Sequence, residues 1–133
     1  GVTVGFEPVA TQFVCTVDGL KRLMNELEPL VLYANYDPSH YLVHGDDPAG
    51  GVRTFGGRIA HVHIKDAKGV PEAYEFPPLG QGVIDFSGMI SALRETGYEG
   101  FLSVEYEANA FGYVETEDEI LGNSIRFVRD LLG

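Results

Sequence analysis

Four residues in this chain have the types and the placement for metal chemistry: Glu7, Asp37, His63 and Glu105. Each closes, or stands just past, a short apolar run: Val2–Glu7, Leu30–Tyr36, Arg58–Ile64 and Phe101–Glu105. They are separated by 30, 26 and 42 residues. If the runs are parallel strands, all four finish on one edge of the sheet, and side chains remote in sequence converge there. Three carboxylates and one imidazole form a hard, mainly oxygen donor set. It suits Mn²⁺, Mg²⁺ or Co²⁺ better than the thiolate sites of structural zinc do. Taken singly, each residue has a plainer reading. An acid after a strand caps a helix or meets solvent, Asp37 before Pro38 makes a turn, and a lone histidine is usually a satisfied core group. Recurrence at the same point of four successive units is what favours one shared site.

The elements that must position these residues alternate in type. Leu20, Leu23, Met24 and Leu27 recur at helical spacing, with Thr16 or Asp18 as the N-cap and Pro29 just past the end. A weaker helix is expected at Pro48–Phe55, diluted by Gly50 and Gly51. Asp85 caps a helix carrying Phe86, Met89, Ile90 and Leu93, ending near Gly97. Thr116-Glu117-Asp118-Glu119 is a capping box opening a last helix whose apolar positions are Ile120, Leu121, Ile125, Val128, Leu131 and Leu132. Four β-α units of about 30 residues predict an α/β fold with parallel strands. The stretch from Lys65 to Gly82, with Pro71, Pro77 and Pro78, has the length of a functional lid. Tyr74 and Phe76 within it either stack on a ligand ring or pack the loop down. Gly80-x-Gly82 lacks the setting and the third glycine of a dinucleotide fingerprint and reads as a turn.

Composition narrows the function. The chain has 133 residues, 20 acidic and 9 basic, for a net charge of −11. That length predicts a single domain over residues 1–133. With 44% hydrophobic and 22% charged residues the chain is a globular rather than a disordered one. The acidic balance argues against nucleic-acid partners, which need a basic face. No apolar run approaches the roughly 18 residues of a membrane span. A single cysteine, Cys15, excludes an internal disulfide framework and fits a reducing, cytoplasmic setting. Gly1–Glu7 lacks the basic n-region of a signal peptide. A start at Gly rather than Met suggests a piece of a longer chain or a processed one.

The motifs Phe6-Glu7-Pro8, Asp37-Pro38-Ser39-His40, Ile59-Ala60-His61-Val62-His63-Ile64-Lys65-Asp66, Leu79-Gly80-Gln81-Gly82-Val83-Ile84-Asp85-Phe86 and Gly97-Tyr98-Glu99-Gly100 with Ser103-Val104-Glu105-Tyr106-Glu107 follow one another across nearly the whole chain. In order and spacing they resemble the C-terminal half of the xylose-isomerase-like (β/α)8 barrels. That superfamily holds sugar and sugar-phosphate isomerases and epimerases, inosose dehydratases, hydroxypyruvate isomerases and endonuclease IV. The resemblance implies a parallel (βα)4 half of a TIM-type barrel, corresponding to strands five to eight. A full barrel takes about 250 residues and eight strands. The expectation is therefore completion by a second copy, as a homodimer, or by an N-terminal half outside this chain.

The resemblance also implies roles. Glu7, Asp37, His63 and Glu105 become the ligands of a divalent ion, Mn, Mg, Co or Zn, and His61 a neighbour. Glu7 and Glu105 become the proton-transfer pair. His40 becomes a catalytic and substrate-contacting group, with Lys65 and Glu107 as further substrate-binding candidates. The implied activity is isomerisation or epimerisation of a sugar or sugar derivative, by proton transfer through a metal-held enediolate. An inosose-type dehydratase or lyase on the same metal frame is the alternative, and a non-catalytic barrel fragment that binds metal or sugar is another. The nuclease branch fits poorly, since it needs more histidine and aspartate ligands and a basic groove.

Overall fold

Local signals start and stop the helices as the sequence predicts. The computed structural model describes residues 1–28 and 30–133, with backbone only at residues 108 and 109. Pro29, expected just past the first helix, therefore lies outside the described residues. Of the two candidate caps for α1 (Val17–Glu26), Thr16 is the one used: its side chain accepts from Gly19 N. Asp85 caps α4 (Phe86–Glu95) by accepting from Gly88 N, and Gly97 takes a left-handed φ of 72° just beyond that helix. The Thr116/Glu119 capping box opens α6 (Glu117–Leu132) with both of its reciprocal bonds made.

The strands are β1 (Gly5–Phe6), β2 (Tyr33–Tyr36), β3 (Ile59–Ile64) and β6 (Leu102–Val104). They form one parallel sheet in the order β1-β2-β3-β6. Helices between successive strands make this four β-α units of a barrel wall. Among the described residues the sheet does not close: β1 and β6 each pair on one side only. This is why the outer strands are shorter than their apolar runs. Pairing extends only as far as a neighbour supplies a ladder, and Val2, Val4 and Phe101 are left exposed.

Period-two alternation splits each strand between two faces. Ala34, Tyr36, Val62 and Ile64 point outward and are buried under α1, α3 (Pro48–Phe55) and α4, whose Leu20, Met24, Val52, Phe55, Met89 and Leu93 complete the core. Asn35, His61 and His63 lie on the opposite, half-buried face that a closed barrel would enclose. The outward stripe of α6 is narrower than its apolar pattern suggests. Ile120 is buried and Phe127 packs edge-on against Phe86, but Leu121 and Ile125, two of the apolar positions of the pattern, are exposed because α4 covers only one side of the helix.

Two short helices and a hairpin go beyond the sequence reading. Asp37 caps a short helix α2 (Pro38–Val43), and Ala108–Phe111 forms a single helical stretch α5. The stretch from Lys65 to Gly82 contains an antiparallel hairpin, β4 (Lys68–Val70) and β5 (Ala73–Glu75). Gly69 takes φ 100° there, and a Cβ on it would stand 2.2 Å from Ala73 O. The two glycines expected only to weaken α3 also need revising. A Cβ on Gly51 would lie 2.4 Å from the Tyr36 hydroxyl, which donates to Pro48 O at 2.5 Å. Gly51 is thus what lets α3 sit on β2. Gly51→Ala is expected to lower stability by about 1–3 kcal/mol through overpacking, read as a shift of the urea midpoint at unchanged slope.

Candidate metal centre

The four strand-end residues converge. One ligand atom from each of Glu7, Asp37, His63 and Glu105 lies within 4.8 Å of the others. Each is delivered by the end of its own strand, at the carboxyl edge of the sheet. Asp37 shows how a single carboxylate serves two tasks. Its Oδ1 accepts from Ser39 N at 2.8 Å and from Ser39 Oγ at 2.6 Å, which fixes the side chain as the N-cap of α2. Its Oδ2 is then left facing the cluster, 3.8 Å from His63 Nδ1 and 3.6 Å from His40 Nε2.

His63 Nδ1 lies 2.5 Å from Glu105 Oε2 and 3.4 Å from Glu7 Oε1. Yet His63 Nδ1 and Asp37 Oδ2 are both buried and make no hydrogen bond of proper geometry, Asp37 Oδ2 meeting Lys65 Nζ at 2.9 Å only as an ion pair. Orphaned buried polar atoms are rare in folded proteins. Two of them, 3.8 Å apart beside two further carboxylates, are donor atoms that a bound cation would satisfy. The donor set and this pair of unsatisfied atoms fit a divalent ion.

Electrostatics point the same way. Burial works against the ionised form of Asp37, but His63, Lys65, His40 and Ser39 together outweigh it and hold the carboxyl below its ordinary range. The facing Asp37 carboxylate, helped by Glu105 and Glu7, raises His63 against the effect of burial. Burial raises Glu7, with His63 opposing. Asp37 is fully buried, whereas the Glu7 and Glu105 side chains are 27% and 31% exposed. The two glutamates are the most exposed members of the tetrad, ahead of His63 at 17%.

The other predicted residues gather around this cluster. His40 is buried. Its Nδ1 accepts from Ala10 N at 3.3 Å, its Nε2 faces the carboxylates, and its ring meets Phe76 edge-on. Lys65 is buried too, and its ammonium touches Asp37, Glu105, Glu107 and His40. Glu107 is half open to solvent and accepts from Lys65 at 2.8 Å. His61 stacks edge-on against His63 on the lumen face.

One residue escaped the sequence reading, and for Phe76 the packing alternative is the one the structure takes. Asn35 donates through Nδ2 to Glu7 Oε2 at 2.7 Å and so orients that ligand. The signal was available: a polar residue two before Asp37 shares its face of β2. Phe76 is buried against His40 and Lys65 rather than presented to a ligand. Contacts of Phe76 and Tyr74 with Phe111 hold the hairpin against the loop after β6, as does the Tyr113 hydroxyl, which donates to Glu75 at 2.7 Å. The expected lid is therefore a packed rim.

The chain matches the family of xylose isomerase-like TIM barrels over residues 1–131. Among curated proteins it is 32% identical to the inosose dehydratase of Clostridium tetani over 109 residues, covering 71% of this chain and 37% of that protein. It is 33% identical to the inosose dehydratase of Geobacillus thermodenitrificans over 118 residues, covering 74% and 40%. The chain thus spans about two fifths of the length of these relatives. Among solved structures, the IolI protein with a bound zinc atom superposes with a TM-score of 0.81 at 23% identity, covering 99% of this chain and 49% of that one. The D-allulose 3-epimerase of Methylomonas sp. gives 0.79 at 20%, covering 98% and 49%. Among the described residues no helix is long and apolar enough to cross a membrane. On the strength of a match that runs through all four β-α units, the chain belongs to the xylose isomerase-like TIM barrel family.

Proposed function

We propose that this chain supplies the metal-holding half of an active site that removes a proton from the carbon beside a carbonyl in a sugar or polyol-derived ketone. The observation that carries this reading is the meeting of the Glu7, Asp37, His63 and Glu105 ligand atoms within 4.8 Å at four parallel strand ends. A divalent ion held there would act as a Lewis acid on the substrate carbonyl and acidify the neighbouring C–H.

The chain's own residues do the rest. Asp37, fully buried and held by the two hydrogen bonds it accepts from Ser39, is a fixed ligand with no access to substrate. Glu7 and Glu105 are open enough to meet a substrate and stand on the two outer strands, so they form the proton-transfer pair. Burial raises Glu7, which brings its carboxylate nearer the basicity a general base needs. Asn35 holds Glu7 Oε2 and leaves Oε1 for the cluster. His40 Nε2, fixed through Ala10 at the other nitrogen, orients groups at the floor of the site.

Return of the proton at another carbon or on the other face gives isomerisation or epimerisation. Loss of a neighbouring hydroxyl gives dehydration instead. The second outcome is favoured by one observation: the two curated relatives described above, at 32% and 33% identity, are named inosose dehydratases. Either way the partner is a small polyhydroxy ketone. The exposed sheet edges favour completion of the barrel by a second copy or by an N-terminal half.

The test is proton exchange. The chain, loaded with Mn²⁺, Co²⁺ or Zn²⁺ in D₂O, is offered a ketohexose and a keto-inositol, and deuterium beside the carbonyl is followed by NMR. Exchange that Glu7→Gln slows by about 10²–10⁴-fold is the expected result. Products lighter by one water identify the dehydratase branch. Absence of exchange in protein shown to hold the metal, and shown to form the completed barrel, overturns the reading.

A further inference from the structure

Lys65 is a buried charge whose partners overlap with the metal ligands. Its Nζ lies 2.9 Å from Asp37 Oδ2 and donates to Glu105 Oε1 at 3.0 Å. It also donates to Glu107 Oε1 at 2.8 Å and lies 3.2 Å from His40 Nε2. The side chain is 1% exposed, and the Phe76 ring closes over the ammonium at 4.6 Å from its centroid. A buried ammonium is tolerated only with such a shell of acceptors, and a buried carboxylate only with such a cation. Asp37 and Lys65 therefore sustain each other in the protein without metal.

An ion bound by the tetrad would draw on Asp37 Oδ2, which Lys65 already meets, and on the Glu105 carboxylate, whose Oε1 meets Lys65 while its Oε2 faces His63. Asp37 and Glu105 cannot give their full charge to a divalent ion and to Lys65 at once. Glu107 lies outside the tetrad, and the Lys65 ammonium already touches it. We propose that Lys65 is a positioning residue: it is the site's own counter-ion in the metal-free protein, and it yields Asp37 and Glu105 to the incoming divalent ion while keeping Glu107. This rests on the metal reading of the tetrad and adds a regulator to it. The ammonium keeps three like-charged carboxylates convergent before metal arrives, and it lowers the metal affinity below what those ligands alone would give.

A brace and a competitor differ in sign. If Lys65 only held the ligands in place, removing it would loosen them and weaken metal binding. If it competes for them, removing it strengthens binding. Mn²⁺ is titrated calorimetrically into EDTA-stripped parent chain and into Lys65→Met. Tighter binding by about tenfold or more is expected in the variant, the scale of one full charge removed beside two ligands. Without metal its melting temperature falls, and Mn²⁺ restores more of it than in the parent. Equal or weaker binding by a folded Lys65→Met overturns the proposal.

Should Lys65→Met fail to fold without metal, Glu107→Gln carries the test. It confines the ammonium to Asp37 and Glu105, so Mn²⁺ affinity should fall by about three- to tenfold, and an unchanged affinity overturns the proposal. A folded parent that binds no Mn²⁺, Co²⁺ or Zn²⁺ removes the metal reading and the proposal together. A parent that binds Mn²⁺ beside an unresponsive Lys65→Met removes the proposal alone.

Discussion

Glu105→Ala is expected to lower the affinity of this chain for Mn²⁺ by at least about a hundredfold, since even residues that only orient metal ligands contribute ten- to a hundredfold. The substitution removes one of four donors and one of three carboxylates. It also takes away the oxygen nearest His63 Nδ1, at 2.5 Å, leaving that buried nitrogen with Glu7 and Asp37 alone. The fold should survive. Glu105 is partly exposed, and Lys65 keeps Asp37 and Glu107 as counter-charges. Metal content after gel filtration, followed by calorimetric titration, reads the effect. Glu95→Ala serves as the control, because Glu95 is an exposed partner of Arg53 remote from the cluster. A Glu105→Ala protein that retains a stoichiometric ion as tightly as its parent would remove this carboxylate from the ligand set.

That a single substitution can be so placed reflects how the sequence encodes the site. A parallel β-α repeat obliges residues at successive strand ends to meet, so Glu7, Asp37, His63 and Glu105 were legible from type and position. Helix caps were legible for a similar reason: a capping box or an Asp before an apolar period is satisfied within a few residues of itself. What stayed hidden depends on contacts across the fold. Period-two alternation puts Lys65 on the same face as His63, but it cannot say that the ammonium bridges Asp37 and Glu107, which lie on different elements. Asn35 is unremarked until Glu7 arrives beside it from β1. Gly51 reads as a poor helix residue until the Tyr36 hydroxyl occupies the space of its missing Cβ. The hairpin was hidden because its strands are three residues each and their pairing needs Gly69 in a positive-φ conformation. In every case but the hairpin, whose partners lie within seven residues of one another, the decisive neighbour is distant in sequence.

Asp66 offers the second large effect, and it separates the rim from the metal ligands. The side chain follows Lys65 and is buried. Its Oδ1 accepts from Ala67 N at 2.9 Å and Ile84 N at 3.3 Å, and its Oδ2 accepts from Gly80 N at 3.0 Å and Gly82 N at 2.9 Å. One carboxylate thus ties the end of β3 to the turn that returns the chain to α4. A Cβ on Gly82 would fall 2.1 Å from Asp66 Oδ1, so the turn is built around the carboxylate. Asp66→Ala strands four backbone donors. The Gly80 and Gly82 amides, near the surface, can turn to water, while those of Ala67 and Ile84 are buried and cannot. At about 1–3 kcal/mol for each of the two donors left dry, the loss is about 2–6 kcal/mol. Asp66→Asn keeps one oxygen and presents an NH₂ to the other pair of donors, so it is expected to fall between parent and alanine. Urea unfolding measures both. None of the four metal ligands lies between residues 66 and 84, so the folded fraction of either variant should still take up Mn²⁺ with parental stoichiometry. A variant that keeps its urea midpoint would show that water replaces the carboxylate at all four amides. One that keeps its midpoint and loses the metal would make Asp66 part of the metal centre instead of the brace of its rim.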